Sequence, residues 1–318
     1  MPAPSQSFCR VLVILLALAV LGLPTGWITR AATLASLTTE STPQALQNND
    51  QPETDPAAAL LQQGITLLDK KNAGGAIAVL ERAVVLAPDL VEAHYQLGRA
   101  FEDVHESRRA ITEYETVSTL SPDHLDAQFR LGLLYAQQED PSQAIQPFSA
   151  ILRANPQHQS ARYNLGLVLK KVGRLDQAQR HFELVLAQNP SHAGAHTNLG
   201  NIWHDKQDLQ RAIAEYRAAL LHTPDHLMAR RNLAMVLLEQ GDTDGALAEY
   251  ARAIALHHGD PVLHAEYAAL LRQAGHTSEA EREYRQALAH LPLTPEQSDR
   301  RTQIEVGLRE IYASQSTQ

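Results

Sequence analysis

From Ala57 to Thr294 the sequence repeats itself every 34 residues, seven times, without insertion or deletion. A sustained period of this length means one supersecondary unit stacked on copies of itself, so the chain grows by units around a continuous core. The windows are 57–90, 91–124, 125–158, 159–192, 193–226, 227–260 and 261–294. Position 8 reads Gly64, Gly98, Gly132, Gly166, Gly200, Ala234 and Ala268. Position 20 is alanine in all seven, from Ala76 to Ala280. Position 24 reads Leu80, Tyr114, Phe148, Phe182, Tyr216, Tyr250 and Tyr284, and position 32 is proline except at His258.

Each window holds two helical patterns with apolar residues three and four apart. Small residues at 8 and 20 let the two helices cross closely, and the side chain at 24 fills the space beside the crossing. The proline at 32 ends the second helix. Asp140, Asp208 and Asp242 stand at position 16, where a carboxylate caps the second helix, and Pro141 follows at a first helical position. The fold predicted is all-α, an α-solenoid of seven helix-turn-helix units. Two places break the pattern and are expected to be irregular. Repeat 6 ends His257-His258-Gly259-Asp260 with its proline moved to Pro261, and Pro147 falls inside the second helix of repeat 3, at a usual penalty of about 3 kcal/mol.

Before the array, a short polar end with Arg10 leads into thirteen residues without a break in apolar or glycine character, Val11 to Leu23. Pro24, Thr25 and Gly26 follow. This is the plan of a secretory signal, with cleavage after Ala31 or Ala35. The rival reading is an uncleaved anchor over residues 11–28, barely long enough to span a bilayer. Either sends the array across a membrane, into a periplasmic or secreted location, with a membrane link only if the segment is retained. Cys9 is the single cysteine; its loss with residues 1–35 would leave a cysteine-free chain, which suits an oxidising compartment. Residues 36–56, punctuated by Pro43 and Pro52, read as a disordered linker. Residues 295–318 read as a C-terminal capping helix and tail, with Ile304, Leu308, Ile311 and Tyr312 on the apolar face that covers repeat 7.

The seven windows, with their Gly/Ala at 8, Ala at 20, large residue at 24 and Pro at 32, resemble the tetratricopeptide repeat family. The resemblance covers 238 of 318 residues. It implies a right-handed superhelix, first helices on the concave wall, and a groove that holds a peptide or protein segment without chemistry. By the same resemblance, positions 2, 5, 6, 9, 12 and 13 face the groove.

Position 6 then reads Gln62, Gln96, Arg130, Asn164, Asn198, Asn232 and Glu266. A carboxamide offers a carbonyl acceptor and N–H donors, so a row of them can pair with both sides of an extended backbone. The row resembles the asparagine ladder in the repeat arm of O-linked N-acetylglucosamine transferases, matched residue for residue only at Asn164, Asn198 and Asn232. Polar residues also keep an exposed helix face soluble. Arg99, Tyr163, Lys170, Lys171, Asn201 and Arg231 join these as candidate binding residues, with Tyr95, Phe129 and His204 beside them. Lys170, Lys171 and Arg231 would attract an acidic ligand segment. The two-carboxylate clamp of chaperone-binding members is not reproduced, since position 5 of repeat 4 is Tyr163 and position 9 is Leu167.

The fifteen histidines include four at position 34, His124, His158, His192 and His226. Packed helices stand about 8–10 Å apart and zinc holds nitrogens at about 2.0–2.1 Å, so neighbouring members do not share an ion and these read as junction residues. No phosphate loop, nucleophile elbow, dinucleotide fingerprint or paired metal motif occurs. The net charge of −9 and 5% aromatic content argue against nucleic acid. No cofactor is expected. The sequence points to a non-catalytic exported scaffold or adaptor for a protein or peptide partner, in a setting such as envelope assembly or secretion. The alternatives are a substrate-recruiting partner of a separate enzyme, such as a glycosyltransferase, and a metal- or glycan-binding protein.

Overall fold

The computed structural model describes residues 55–315, so the segments read above as export signal, anchor and most of the linker lie outside the described residues. Among the described residues the chain forms fifteen α-helices, two short 3-10 segments and no strand. Repeat 1 is α1 (Pro56–Asp69) and α2 (Ala73–Leu86); repeat 2 is α3 (Val91–Asp103) and α4 (Ser107–Leu120). Repeat 3 is α5 (Leu125–Ala136), a 3-10 turn (Pro141–Ala144) and α6 (Ile145–Ala154). Repeats 4 and 5 are α7 (Gln159–Lys171) with α8 (Leu175–Gln188), and α9 (Ala193–Asp205) with α10 (Leu209–His222). Repeats 6 and 7 are α11 (Leu227–Glu239) with α12 (Thr243–Leu256), and α13 (Pro261–Gln273) with α14 (Thr277–His290). A 3-10 turn (Pro295–Gln297) leads into α15 (Ser298–Gln315).

The crossing of the two helices in a repeat is as tight as the small residues suggest. All seven alanines at position 20 are fully buried. A Cβ built on Gly98, Gly132, Gly166 or Gly200 would stand 2.5 to 2.8 Å from the ring at position 24. Repeats 6 and 7 carry Ala234 and Ala268 there, and their rings sit less deeply. Tyr250 and Tyr284 are each 5% exposed, against 0% for Tyr114, Phe148, Phe182 and Tyr216.

A second row of contacts joins each repeat to the one before. The side chain at position 4 reaches the carbonyl at position 32 of the preceding repeat. His94 Nε2 lies 3.0 Å from Pro88 O, Gln128 Nε2 donates to Pro122 O at 3.3 Å, and His196 and His264 repeat the contact at 3.0 Å to Pro190 O and His258 O. Arg162 and Arg230 donate to Pro156 O and Pro224 O. In four repeats the same side chain also meets a glutamate at position 23: His94–Glu113, His196–Glu215, Arg230–Glu249 and His264–Glu283, all at 2.6 to 2.7 Å. Repeats 3 and 4 lack that carboxylate, because position 23 is Pro147 or His181. There Gln128 Oε1, Arg162 Nε and His181 Nδ1 are buried without a hydrogen-bond partner.

The helix ends follow local chemistry. Asp208 and Asp242 each accept from a backbone N–H in the first turn of the second helix, Asn72 does so in repeat 1, and Asp140 caps the 3-10 turn of repeat 3 through Ser142 N–H. The four position-34 histidines are N-caps. Nδ1 of His124, His158, His192 and His226 accepts from the N–H of Ala127, Ala161, Ala195 and Ala229 at 3.1–3.2 Å. Asp260 caps α13 from the same register position.

The expectations for repeat 6 and for Tyr312 need correction, and the irregularity expected in repeat 3 is present. Repeat 6 is regular, because Asp260-Pro261 supplies a cap and a proline at the first helical position, and α12 has the same 14 residues as α10. In repeat 3 the irregularity takes the form of the 3-10 turn. It places Pro147 in the first turn of α6, where its missing N–H would have had no intrahelical acceptor. At the C-terminus Ile304, Leu308 and Ile311 are buried in one cluster with Ala280, Tyr284 and Ala287 of α14. Tyr312, expected on that face, is 43% exposed and its hydroxyl donates to Glu281.

Burial holds both His192 and His181 below the ordinary imidazole value of 6.5, with nearby His196 acting in the same direction on His192 and Arg162 on His181. Each therefore binds its proton more readily in the unfolded chain. Their contribution to stability is complete above pH 6.5 and is lost as pH falls through the folded values. Thermal melts followed by circular dichroism should show a lower Tm at about pH 5.5 than at about pH 7.5, on either side of the ordinary imidazole value. His192→Asp should keep the cap and shrink that difference, whereas His192→Ala should cost about 1 kcal/mol at neutral pH. His181→Glu should complete the pair that Arg162 lacks and raise stability by about 1 kcal/mol; an unchanged or lower Tm would refute that account.

Candidate functional site: the inner wall of the first helices

Consecutive first helices touch one another in most of the array (α1 with α3, α5 with α7, α7 with α9, α9 with α11), while second helices make no comparable contact. The stack therefore closes up on the first-helix side, and that side is the concave one. Side chains that bridge consecutive first helices mark the wall itself, and most of them use position 6.

Arg130 donates from Nη1 to Glu102 at 3.1 Å and from Nε to the Tyr95 hydroxyl at 3.4 Å. Asn198 accepts from Lys170 Nζ at 2.6 Å and donates from Nδ2 to Tyr163 Oη at 3.3 Å and to Gly194 O at 2.8 Å. Asn232 donates to Asn201 Oδ1 at 2.7 Å, an oxygen that also accepts from Tyr216 at 2.8 Å. Glu266 takes both Nε, at 2.6 Å, and Nη2 of Arg231. Two further bridges lie about two turns along: His204 Nε2 faces Glu239 at 2.8 Å, and Lys171 Nζ donates to Ala136 O at 3.1 Å.

Gln96 and Asn164 are different. Gln96 donates to Glu92 and accepts from Arg99 within its own helix. Asn164 donates to Ser160 O at 2.8 Å, and its carbonyl has no partner among the described residues. The positions that fasten Asn198 from repeat 4 and Asn232 from repeat 5 are, in repeat 3, Phe129, Leu133 and Ala136, none of which has a side-chain donor.

The sequence model of the tetratricopeptide repeat matches residues 95–159, 163–222 and 205–261, and a second model of the same description matches 237–304. The chain belongs to the tetratricopeptide repeat family. A tetratricopeptide repeat protein of Parabacteroides merdae superposes with a TM-score of 0.59 at 15% identity, covering 81% of this chain and 99% of its own. PilF of Pseudomonas aeruginosa superposes at 0.51 and 19%, covering 64% and 93%. A chain of the APC/C hetero-tetramer Cut9–Hcn1 does so at 0.54 and 16%, covering 80% and 52%. These likenesses are of fold. No curated protein matches the chain.

Within this tetratricopeptide repeat array the three asparagines at position 6 are of two kinds. Asn198 and Asn232 fasten neighbouring repeats, and Asn164 bonds only within its own helix and keeps its carbonyl unengaged. Burial raises the Tyr163 hydroxyl pKa, against the Asn198 hydrogen bond, so the phenol stays protonated at neutral pH. Burial lowers Lys170, and attraction to Asp205 opposes it. Sequence reasoning listed the wall residues but missed their carboxylate partners Glu102 and Glu239, as well as the row at position 4. A basic residue followed 19 places later by glutamate, as in His94 and Glu113, was the available signal. Among the described residues no group of three or more His, Cys, Asp or Glu is placed to hold a metal ion.

The distinction is measurable. Asn198→Ala removes three hydrogen bonds and leaves Lys170 without its acceptor, so it should cost about 1–3 kcal/mol. Asn164→Ala should stay within about 0.5 kcal/mol of the parent in the same melts. Equal losses at the two positions would contradict the division.

Proposed function

We propose that this chain is an exported, non-catalytic adaptor that holds an extended segment of a partner protein along its concave wall. Family membership and the stacked fold support the coarser role of a protein-binding scaffold. The observation that carries the finer reading is the wall between repeats 3 and 4. There Asn164 offers an open carbonyl, and Lys170 and Lys171 make no ion pair among the described residues. A rigid helical scaffold presenting unspent hydrogen-bonding capacity beside half-buried apolar residues is how an extended segment is gripped. The export reading rests on Arg10, the run from Val11 to Leu23 and the small residues up to Ala35.

A photo-crosslinking amino acid at position 164 should capture a discrete partner in cells, and the same probe at Glu183, exposed on α8, should not. Protease treatment of fractionated cells should reach the repeats from the extracytoplasmic side. Equal capture at both positions would remove the groove from the account, and repeats protected in the cytosol would remove export.

A further inference from the structure

Where neighbouring first helices meet along the wall, two junctions among the described residues lack a polar bridge to position 6, repeats 1–2 and repeats 3–4; at the first the Gln96 carbonyl is taken by Arg99 of its own helix, and at the second the Asn164 carbonyl is open. From repeat 2 to 3 and at every junction after repeat 4, a side chain of the earlier repeat hydrogen-bonds position 6 of the later one. Between repeats 3 and 4 the corresponding residues are Phe129, Leu133 and Ala136, and Leu167 continues the apolar character at the same register in repeat 4. Phe129, Leu133 and Leu167 are only partly buried against the core beneath them. The same 34-residue register that sets Asn201 beside Asn232 sets Leu133 beside Asn164.

The charges along the wall are as uneven. Arg130, His204, Arg231 and Arg272 each face a glutamate: Glu102, Glu239, Glu266 and Glu310. Lys170 and Lys171, one turn beyond Leu167, do not. Lys170 bonds to an amide oxygen and Lys171 to a backbone carbonyl, and Asp205 is the one carboxylate that acts on Lys170. From position 9 to position 12 or 13 is about 5–6 Å along a helix, or about two residues of extended chain.

Resting on the groove reading above, we propose that the segment this protein holds is acidic and aliphatic. It sets a large aliphatic side chain against Leu133 and Leu167 and, within two residues, a carboxylate against Lys170 and Lys171. A backbone N–H of the segment donates to Asn164 Oδ1. The chain's net charge of −9 would by itself attract basic partners; the local lysine pair selects the opposite sign at the wall's centre.

The test is selection of random linear peptides displayed on phage against the full-length chain, followed by fluorescence polarisation of the enriched sequences. Enriched peptides should carry Asp or Glu within two residues of Leu, Ile, Val or Phe. They should bind about tenfold more weakly to Lys170→Glu with Lys171→Glu and to Leu133→Asp. Circular dichroism melts show whether these variants fold, and Leu133→Ser with Lys171→Gln gives the milder version of each. Enriched peptides that are basic or lack an aliphatic residue, yet lose binding on Asn164→Ala, would overturn the acidic-aliphatic class and leave the groove standing. Absence of any enriched peptide, or binding indifferent to every wall variant, would overturn the groove reading itself.

Discussion

The array depends on how closely two helices can cross. A ring at position 24 seats beneath a residue without a side chain, against an alanine that admits no water, and the geometry of that contact is copied from repeat to repeat. Because interiors pack at crystal-like density, even one methyl group is felt, as the shallower rings of Tyr250 and Tyr284 show. The fixed crossing gives every repeat the same pitch. It is the reason a residue's place in the window tells where its side chain will stand.

On that frame two rows of polar side chains join neighbours. One, at position 4, ties a repeat to the proline-bearing loop before it; the other, at position 6, ties first helices along the concave wall. Single bonds of this kind contribute about 1 kcal/mol each, modest beside the apolar core. They act where the core is thinnest, at the faces between units. A polar residue in such an array therefore has two possible employers, the neighbouring repeat and the ligand. Arg231 has been taken by Glu266, whereas Lys171 has only a backbone carbonyl.

The helices and their register were legible in the sequence, because Gly166, Ala178, Phe182 and Pro190 state a steric requirement that each meets almost alone. The Asp caps were legible for the same reason. What was not legible depended on residues 19 to 35 places away: whether Asn198 is spent on Lys170, or whether His94 has Glu113 to meet. Pro147 could be priced as a helix breaker but not located, since the 3-10 turn that shifts it into a first turn is a property of the whole Pro141–Ala144 segment. The histidines at position 34 drew attention as possible ligands; their role as caps rests on a single backbone N–H each.

The vacant glutamate at position 23 of repeats 3 and 4 has a mechanical meaning. In repeats 2, 5, 6 and 7 the position-4 side chain ties three segments at once, the loop before it and both helices of its own unit. In repeats 3 and 4 it keeps its bond to the preceding loop but ties only two. There the second helix meets the first without that polar clasp, and the register of the pair rests on the ring at position 24 and the small residues around it.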